Sequence, residues 1–168
     1  MSELSLIEKL VLDEISGKNQ AIHAYDRMMW TVRTGFLTLF FAGWGILLKA
    51  LVEKPSREPD ALANRILLVM LLVSVALGTG GLVVDRNYTR RKFRVIYALD
   101  KLMSGVVRRH GQVHGDLGDI EAFLQVSGDK RDKNYRNVSG YRGEAAAGWT
   151  IYLLPMAIAL LALYLLWK

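Results

Sequence analysis

The chain has 168 residues, 52% hydrophobic and 23% charged, with 22 Lys and Arg against 16 Asp and Glu and no cysteine. These figures exclude a disordered chain, a disulfide-stapled secreted domain and a cysteine-ligated metal or iron–sulfur site. The apolar residues gather in three windows with nearly all the charge between them, a distribution that suits a membrane protein and not an ordinary soluble globule.

Residues 1–27 are amphipathic and net acidic, with Lys9, Lys18 and Arg27 against five acids. They lack the basic stub and apolar run of a cleaved signal peptide. Leu4, Ile7, Val11 and Ile15 recur at helical spacing, and Ile22, Tyr25 and Met29 continue the series after Gly17. An N-terminal amphipathic helix, with Gly17 as a point where it can bend, is therefore predicted to lead into a first membrane span over 28–52. The uncharged core of that span runs from Thr34 to Leu48. Arg33 and Lys49 at its ends are expected to snorkel to opposite interfaces, and Trp30 and Trp44 suit interfacial depths. Ile66 to Val84, 19 residues without charge, is a second span, and Ala145 to Trp167, 23 residues without charge, a third. Roughly 20 apolar residues cross a bilayer as a helix, and these runs lack the alternation of a barrel strand. The fold class is thus an all-α membrane protein with three transmembrane helices.

Between the second and third spans, residues 85–144 carry 13 basic residues, including the juxtamembrane cluster Arg90, Arg91, Lys92 and Arg94. By the excess of Lys and Arg this segment and the N-terminus are expected to be cytoplasmic. No Gly or Pro separates Val84 from the first turns beyond it, so the second span should continue as one long helix to about Arg109. Ile96, Leu99, Met103 and Val106 mark its packing seam, supported by Val95 and Leu102. Pairing 4–27 against 88–107 buries little surface, so assembly with further copies is expected. Residues 127–144 read as a polar, basic loop containing Lys130, Arg131, Tyr135 and Tyr141. Such a loop suits contact with solvent or anionic headgroups, and RNA is the sharper alternative partner.

Three features could carry function. On span one, Arg27, Thr31, Thr34, Gly35, Thr38, Ala42, Gly45 and Lys49 recur at steps of three or four and share one face. A small, polar face either lets another helix approach closely or lines a water-filled pore made by several copies, with Thr31, Thr34, Thr38 and Lys49 as the pore-lining candidates. On span two, Ser74, Gly78 and Gly81 form a small face expected to pack against span one. The third feature is Arg109 and His114, an arginine and a histidine separated by four residues. Histidine can act as general acid or base near neutrality and arginine can hold a phosphate. The bland reading is a basic helix end. Neither a metal site nor a cofactor is expected: the three histidines make no triad with acids, and no phosphate-binding glycine loop follows a strand. No acid lies within a span, which disfavours proton-coupled transport.

The order of parts resembles the two-span SLATT-type effector modules of bacterial antiviral defence. The resemblance covers roughly residues 5–108 and is carried by Tyr25-Asp26-Arg27-Met28-Met29-Trp30 and Asp85-Arg86-Asn87-Tyr88-Thr89-Arg90-Arg91. With the third span and the Arg109–His114 pair, the chain also resembles the membrane accessory protein of type VI CRISPR systems, and the pair itself is similar to the arginine–histidine motif of HEPN ribonucleases. These resemblances imply a homo-oligomeric pore in the bacterial inner membrane that depolarises it during phage infection. They imply no enzyme, apart from the HEPN-like alternative. A further alternative, from the residues alone, is a membrane anchor or scaffold. Its basic residues would recruit a cytoplasmic protein or RNA.

Overall fold

A long uncharged run must satisfy its own backbone groups, and here each run does so as a helix. A computed structural model describes residues 6–53, 61–110 and 134–166, with side chains described over 9–49, 64–104, 134–161 and at 164. Helix α1 spans Leu6–Glu53, α2 spans Ala61–His110, and α3 spans Tyr141–Leu166. A 3-10 turn, Asn134–Asn137, precedes α3, and no strand occurs among the described residues. All three helices are long and apolar enough to cross a membrane.

Helix α1 passes through Gly17 without a break, and α2 passes from the apolar run into the charged one in the same way. Helix α3 begins at Tyr141, four residues ahead of the uncharged run, and continues through the buried Pro155. Its start depends on Gly140, whose φ of 88° lies in the left-handed region that a side chain disfavours. Glu144 lies in the first turn, where a carboxylate complements the helix dipole.

The chain divides into two compact units. A charged unit takes α1 up to Met28 and α2 from Asn87, with the chain up to Glu144. An apolar unit takes Met29 to Arg86 and the chain from Ala145 onward.

In the apolar unit the three helices pack antiparallel in sequence order. On α1, Phe36, Phe40, Trp44 and Leu47 face inward at steps of three and four, and Leu67 of α2 with Tyr152, Met156 and Ala159 of α3 complete the cluster. Trp44, expected at an interface, is buried instead. Its indole N–H donates to Ser74 Oγ at 2.9 Å, and that hydroxyl donates to the Met70 carbonyl at 2.7 Å. A buried indole N–H needs such an acceptor. The small face of α2 serves two neighbours, where one was expected. Ser74 meets α1, whereas Gly78 lies under Met156 and Gly81 under the ring of Tyr152, both on α3.

In the charged unit the seam of α2 is turned by about one residue from the expected one. Phe93, Val95, Ala98 and Leu102 are buried, while Ile96 and Leu99 are half-buried and Met103 is exposed. The small side chains Thr89 and Ala98 are almost completely buried, which bulk alone does not reveal. Tyr135 and Tyr141 are not loop residues in solvent. Tyr141 sits edge-on between Phe93 and Tyr135, with centroids at 5.3 and 5.4 Å, and Tyr135 is buried.

The two-sided packing of α2 gives a direct test. A Cβ at Gly81 would come 2.6 Å from Tyr152 Cε1, part of a rigid ring, whereas one at Gly80 meets nothing. Gly81→Ala should therefore lower stability in detergent by about 1–3 kcal/mol from overpacking. Gly80→Ala should be neutral or raise it by up to about 1 kcal/mol through helix propensity. Thermal unfolding followed by circular dichroism separates the two.

Candidate functional site

Two features stand out in the apolar unit: a buried ion pair and an open helix face. The ion pair joins Arg33 of α1 to Asp85 of α2. Arg33 Nε donates to Asp85 Oδ1 at 2.8 Å and Arg33 Nη2 to Asp85 Oδ2 at 3.2 Å, and both side chains are more than nine-tenths buried. The sequence places Arg33 at the end of the uncharged core of span one and Asp85 directly after span two, so each looks free to reach water. Helix periodicity decides otherwise. Met29, Arg33, Phe36 and Phe40 share the inward face of α1, and Gly78, Gly81 and Asp85 the inward face of α2. Arg33 therefore cannot snorkel, and a bidentate carboxylate compensates its burial.

Helix α3 closes over the pair with a glycine. A Cβ at Gly148 would stand 2.5 Å from Asp85 Oδ2, so the carboxylate rests against the backbone of α3 where no side chain intervenes. One turn further along α3, Tyr152 is fully buried against Gly81 and Phe36, with its ring centroid 4.9 Å from that of Phe36. Its hydroxyl is buried without a hydrogen-bond partner among the described residues. Arg33 also approaches the Trp30 ring, 5.9 Å from its centroid. The arrangement is a clasp: one charge from each of two helices, and a glycine on the third that lets them close. Its chemistry is electrostatic neutralisation in an apolar setting.

The open face lies elsewhere on α1. Thr31, Thr34, Gly35, Thr38, Ala42, Gly45 and Lys49 are all exposed. A Cβ at Gly35 or Gly45 would meet nothing within 4 Å. The Thr34 hydroxyl donates back to the Trp30 carbonyl at 2.7 Å and to that of Thr31 at 3.3 Å. Such back-bonding lets a threonine sit in apolar surroundings and still offer an acceptor oxygen. The structure thus places Thr31, Thr34, Thr38 and Lys49 on one accessible face, and Ser74, Gly78 and Gly81 in internal contacts.

The basic cluster of the charged unit is largely engaged within it. Lys92 Nζ contacts Asp26 Oδ1 at 2.6 Å and Glu144 Oε2 at 3.2 Å, joining α1, α2 and α3. Arg94 stacks over Tyr135 at 5.3 Å. Arg90 and Arg91 are half-buried. Burial pushes the Tyr135 phenol up. A hydrogen bond with Arg136 and the charges of Arg136, Arg90 and Arg94 outweigh this and hold it below the ordinary tyrosine value. Arg136 and Arg142 are exposed and line a hollow of about 330 Å³ with Ser139, Gly140 and Gly143. Lys130, Arg131 and His114 lie outside the described residues, as does the side chain of Arg109, and with them the Arg109–His114 pair. Among the described residues no group of three metal-ligating side chains comes together.

Sequence reasoning missed Asp85, Gly148 and Tyr152. The available signal was a carboxylate at helical register with the inward-facing glycines of α2, opposite an arginine in register with the phenylalanines of α1. The chain matches no protein-family model, and no curated protein or solved structure matches it.

Removing one member of a buried pair leaves an uncompensated charge at about 3–5 kcal/mol, whereas replacing both with apolar groups is close to neutral. Asp85→Leu and Arg33→Met should each lower the unfolding midpoint sharply in detergent, and the double variant should recover most of the loss. Single variants that unfold like the parent would show that the pair does not hold the helices.

Proposed function

We propose that this chain is the subunit of a homo-oligomeric membrane effector that makes the bilayer leaky, of the kind deployed in bacterial antiviral defence. The observation that carries the reading is the contrast between two of the faces of α1; a third exposes Leu39, Phe41 and Ile46 as lipid-facing helices do. One face is filled within the chain by Met29, Arg33, Phe36, Phe40, Trp44 and Leu47. The other offers Thr31, Thr34, Gly35, Thr38, Ala42 and Gly45 to the outside.

A surface meant for lipid does not need that composition. Helix α2 exposes Leu68, Val69, Leu72 and Val83, and α3 exposes Leu153, Leu154, Ile158 and Leu161, which is what acyl chains accept. Small and hydroxyl residues in place of such side chains suit close helix approach or contact with water. Copies arranged with this face inward would give a path lined by Thr31, Thr34 and Thr38 with Lys49 at one end. The cation there favours anions. The bacterial inner membrane is the proposed location, with the N-terminus and residues 85–144 cytoplasmic, as the excess of Lys and Arg in that segment favours.

A second reading, an anchor that recruits an RNA or an acidic protein, is favoured by the exposed Arg136 and Arg142 around their hollow. One experiment separates the readings. In proteoliposomes holding a trapped dye, the parent chain should leak. Thr34→Leu with Thr38→Leu should reduce leakage at least tenfold while the oligomer keeps its size on gel filtration. An equal leak from the double variant removes this face from the path. A parent chain that leaks no dye at any protein-to-lipid ratio removes the pore and leaves the anchor.

A further inference from the structure

We infer that Arg86 and Trp149 form a binding site for the headgroup of an anionic phospholipid on the outer surface of the apolar unit. The site begins with a consequence of the clasp. Successive residues of a helix point about 100° apart, so with Asp85 turned inward to Arg33, Arg86 is turned outward. It is exposed, and its guanidinium carbon lies 5.2 Å from the centroid of the Trp149 ring. Trp149 follows Gly148 in the same way: the glycine faces the clasp and the tryptophan is 38% exposed. No carboxylate among the described residues pairs with Arg86, since Asp85 is held by Arg33. The guanidinium lies over the indole ring as a cation–π contact, which leaves N–H groups for an acceptor. An arginine held over an indole is well suited to a phosphate, because the ring limits its motion while the planar fork donates in pairs.

Depth supports the same ligand. Arg86 is the first cation after the uncharged run of α2, and Trp149 lies in the first turns of the uncharged run of α3. Their contact puts both helices' apolar boundaries at one level. On α1 that level is marked by Trp30, which is 60% exposed and one turn from Arg33. Exposed tryptophans with a cation at the end of apolar helices define the headgroup layer. One turn deeper on the same two faces stand Val83 and Leu153, both well exposed. A lipid seated here would place its phosphate on Arg86 and an acyl chain along Val83 and Leu153. A second copy of the chain is a poorer occupant, because this face carries a cation and large aliphatic groups where the open face of α1 carries small ones.

The inference rests on the apolar helices lying in a bilayer and does not depend on permeation, so a leak assay bears on one and lipid retention on the other. The test is native mass spectrometry of the full-length protein in detergent, titrated with phosphatidylglycerol or phosphatidylcholine. The parent should retain phosphatidylglycerol roughly fivefold better, the scale of one basic side chain at an anionic surface. Arg86→Gln should retain the two lipids alike. Lys101→Gln removes the same charge from an exposed site in the charged unit and should keep the preference. A second readout guards against misfolding: brominated phosphatidylglycerol should quench tryptophan emission more than brominated phosphatidylcholine, and Trp149→Phe should abolish the difference. Equal retention of both lipids by the parent, or an undiminished preference in Arg86→Gln, overturns the site. Displacement of the lipid by millimolar inorganic phosphate would reassign it to free anions.

Discussion

The pairing of Arg33 with Asp85 is the constraint on which the apolar unit depends. An arginine surrounded by apolar side chains pays a large desolvation cost, which a single carboxylate in bidentate geometry offsets only when both partners are held in place. Here they are held from three directions. The Phe36–Phe40–Trp44 face fixes the rotation of α1, Gly78 and Gly81 fix that of α2, and Gly148 brings α3 onto the carboxylate. Any rotation or one-turn slip of a helix would separate the charges and break the bidentate contact. The pair therefore works less as a source of stability than as a register lock, penalising wrong arrangements of helices that are otherwise uniformly apolar.

The rest of the unit follows from that register. With Arg33 opposite Asp85, antiparallel packing brings Trp44 to Ser74, which is the hydroxyl its indole needs. It also brings Tyr152 to Gly81 and Met156 to Gly78, large residues onto missing side chains. The same register decides what is left over. Helix α1 is turned so that Phe36 and Phe40 are consumed internally and Thr34, Thr38, Gly35 and Gly45 are not, and α2 so that Arg86 points outward beside Trp149. Both proposed activities, permeation along the open face of α1 and lipid contact at Arg86, use what remains once the clasp has fixed three rotations.

Much of the architecture is legible in the sequence, because a span needs only length and the absence of charge. The three apolar runs and the unbroken passage of α2 from Val84 into the charged stretch come from local rules alone. The partner of Arg33 does not. It lies 52 residues away, and each member alone looks like a side chain within reach of water. Only the joint register of both inward faces shows that neither can reach it. The seam of α2 was displaced for a related reason. A search for bulk selects Ile96, Leu99 and Met103, yet the buried positions include the small side chains Thr89 and Ala98. Tyr135 and Tyr141 sit in a segment whose composition is that of a loop, yet Tyr141 packs on Phe93, far earlier in the chain, and Tyr135 packs on Tyr141. The open threonine face is legible as a pattern, although no pattern says whether a neighbouring helix within the same chain covers it.

Charge is the remaining thread, because a net +6 says little about where cations can act. Partners decide that locally. Lys92 is enclosed between Asp26 and Glu144, Arg33 is neutralised by Asp85, and Arg94 lies over Tyr135. Among the described residues Arg86 has an aromatic partner and no carboxylate, so nothing there neutralises it while the ring limits its motion. Arg136 and Arg142 keep both charge and exposure. A cation that is charged and already ordered gives up little conformational entropy when it binds an anion. On that ground Arg86 should discriminate between lipids more sharply than an exposed arginine with no ring against it. The difference originates in the tryptophan beside it, and ultimately in the glycine next to that tryptophan, which lets α3 come close to the clasp.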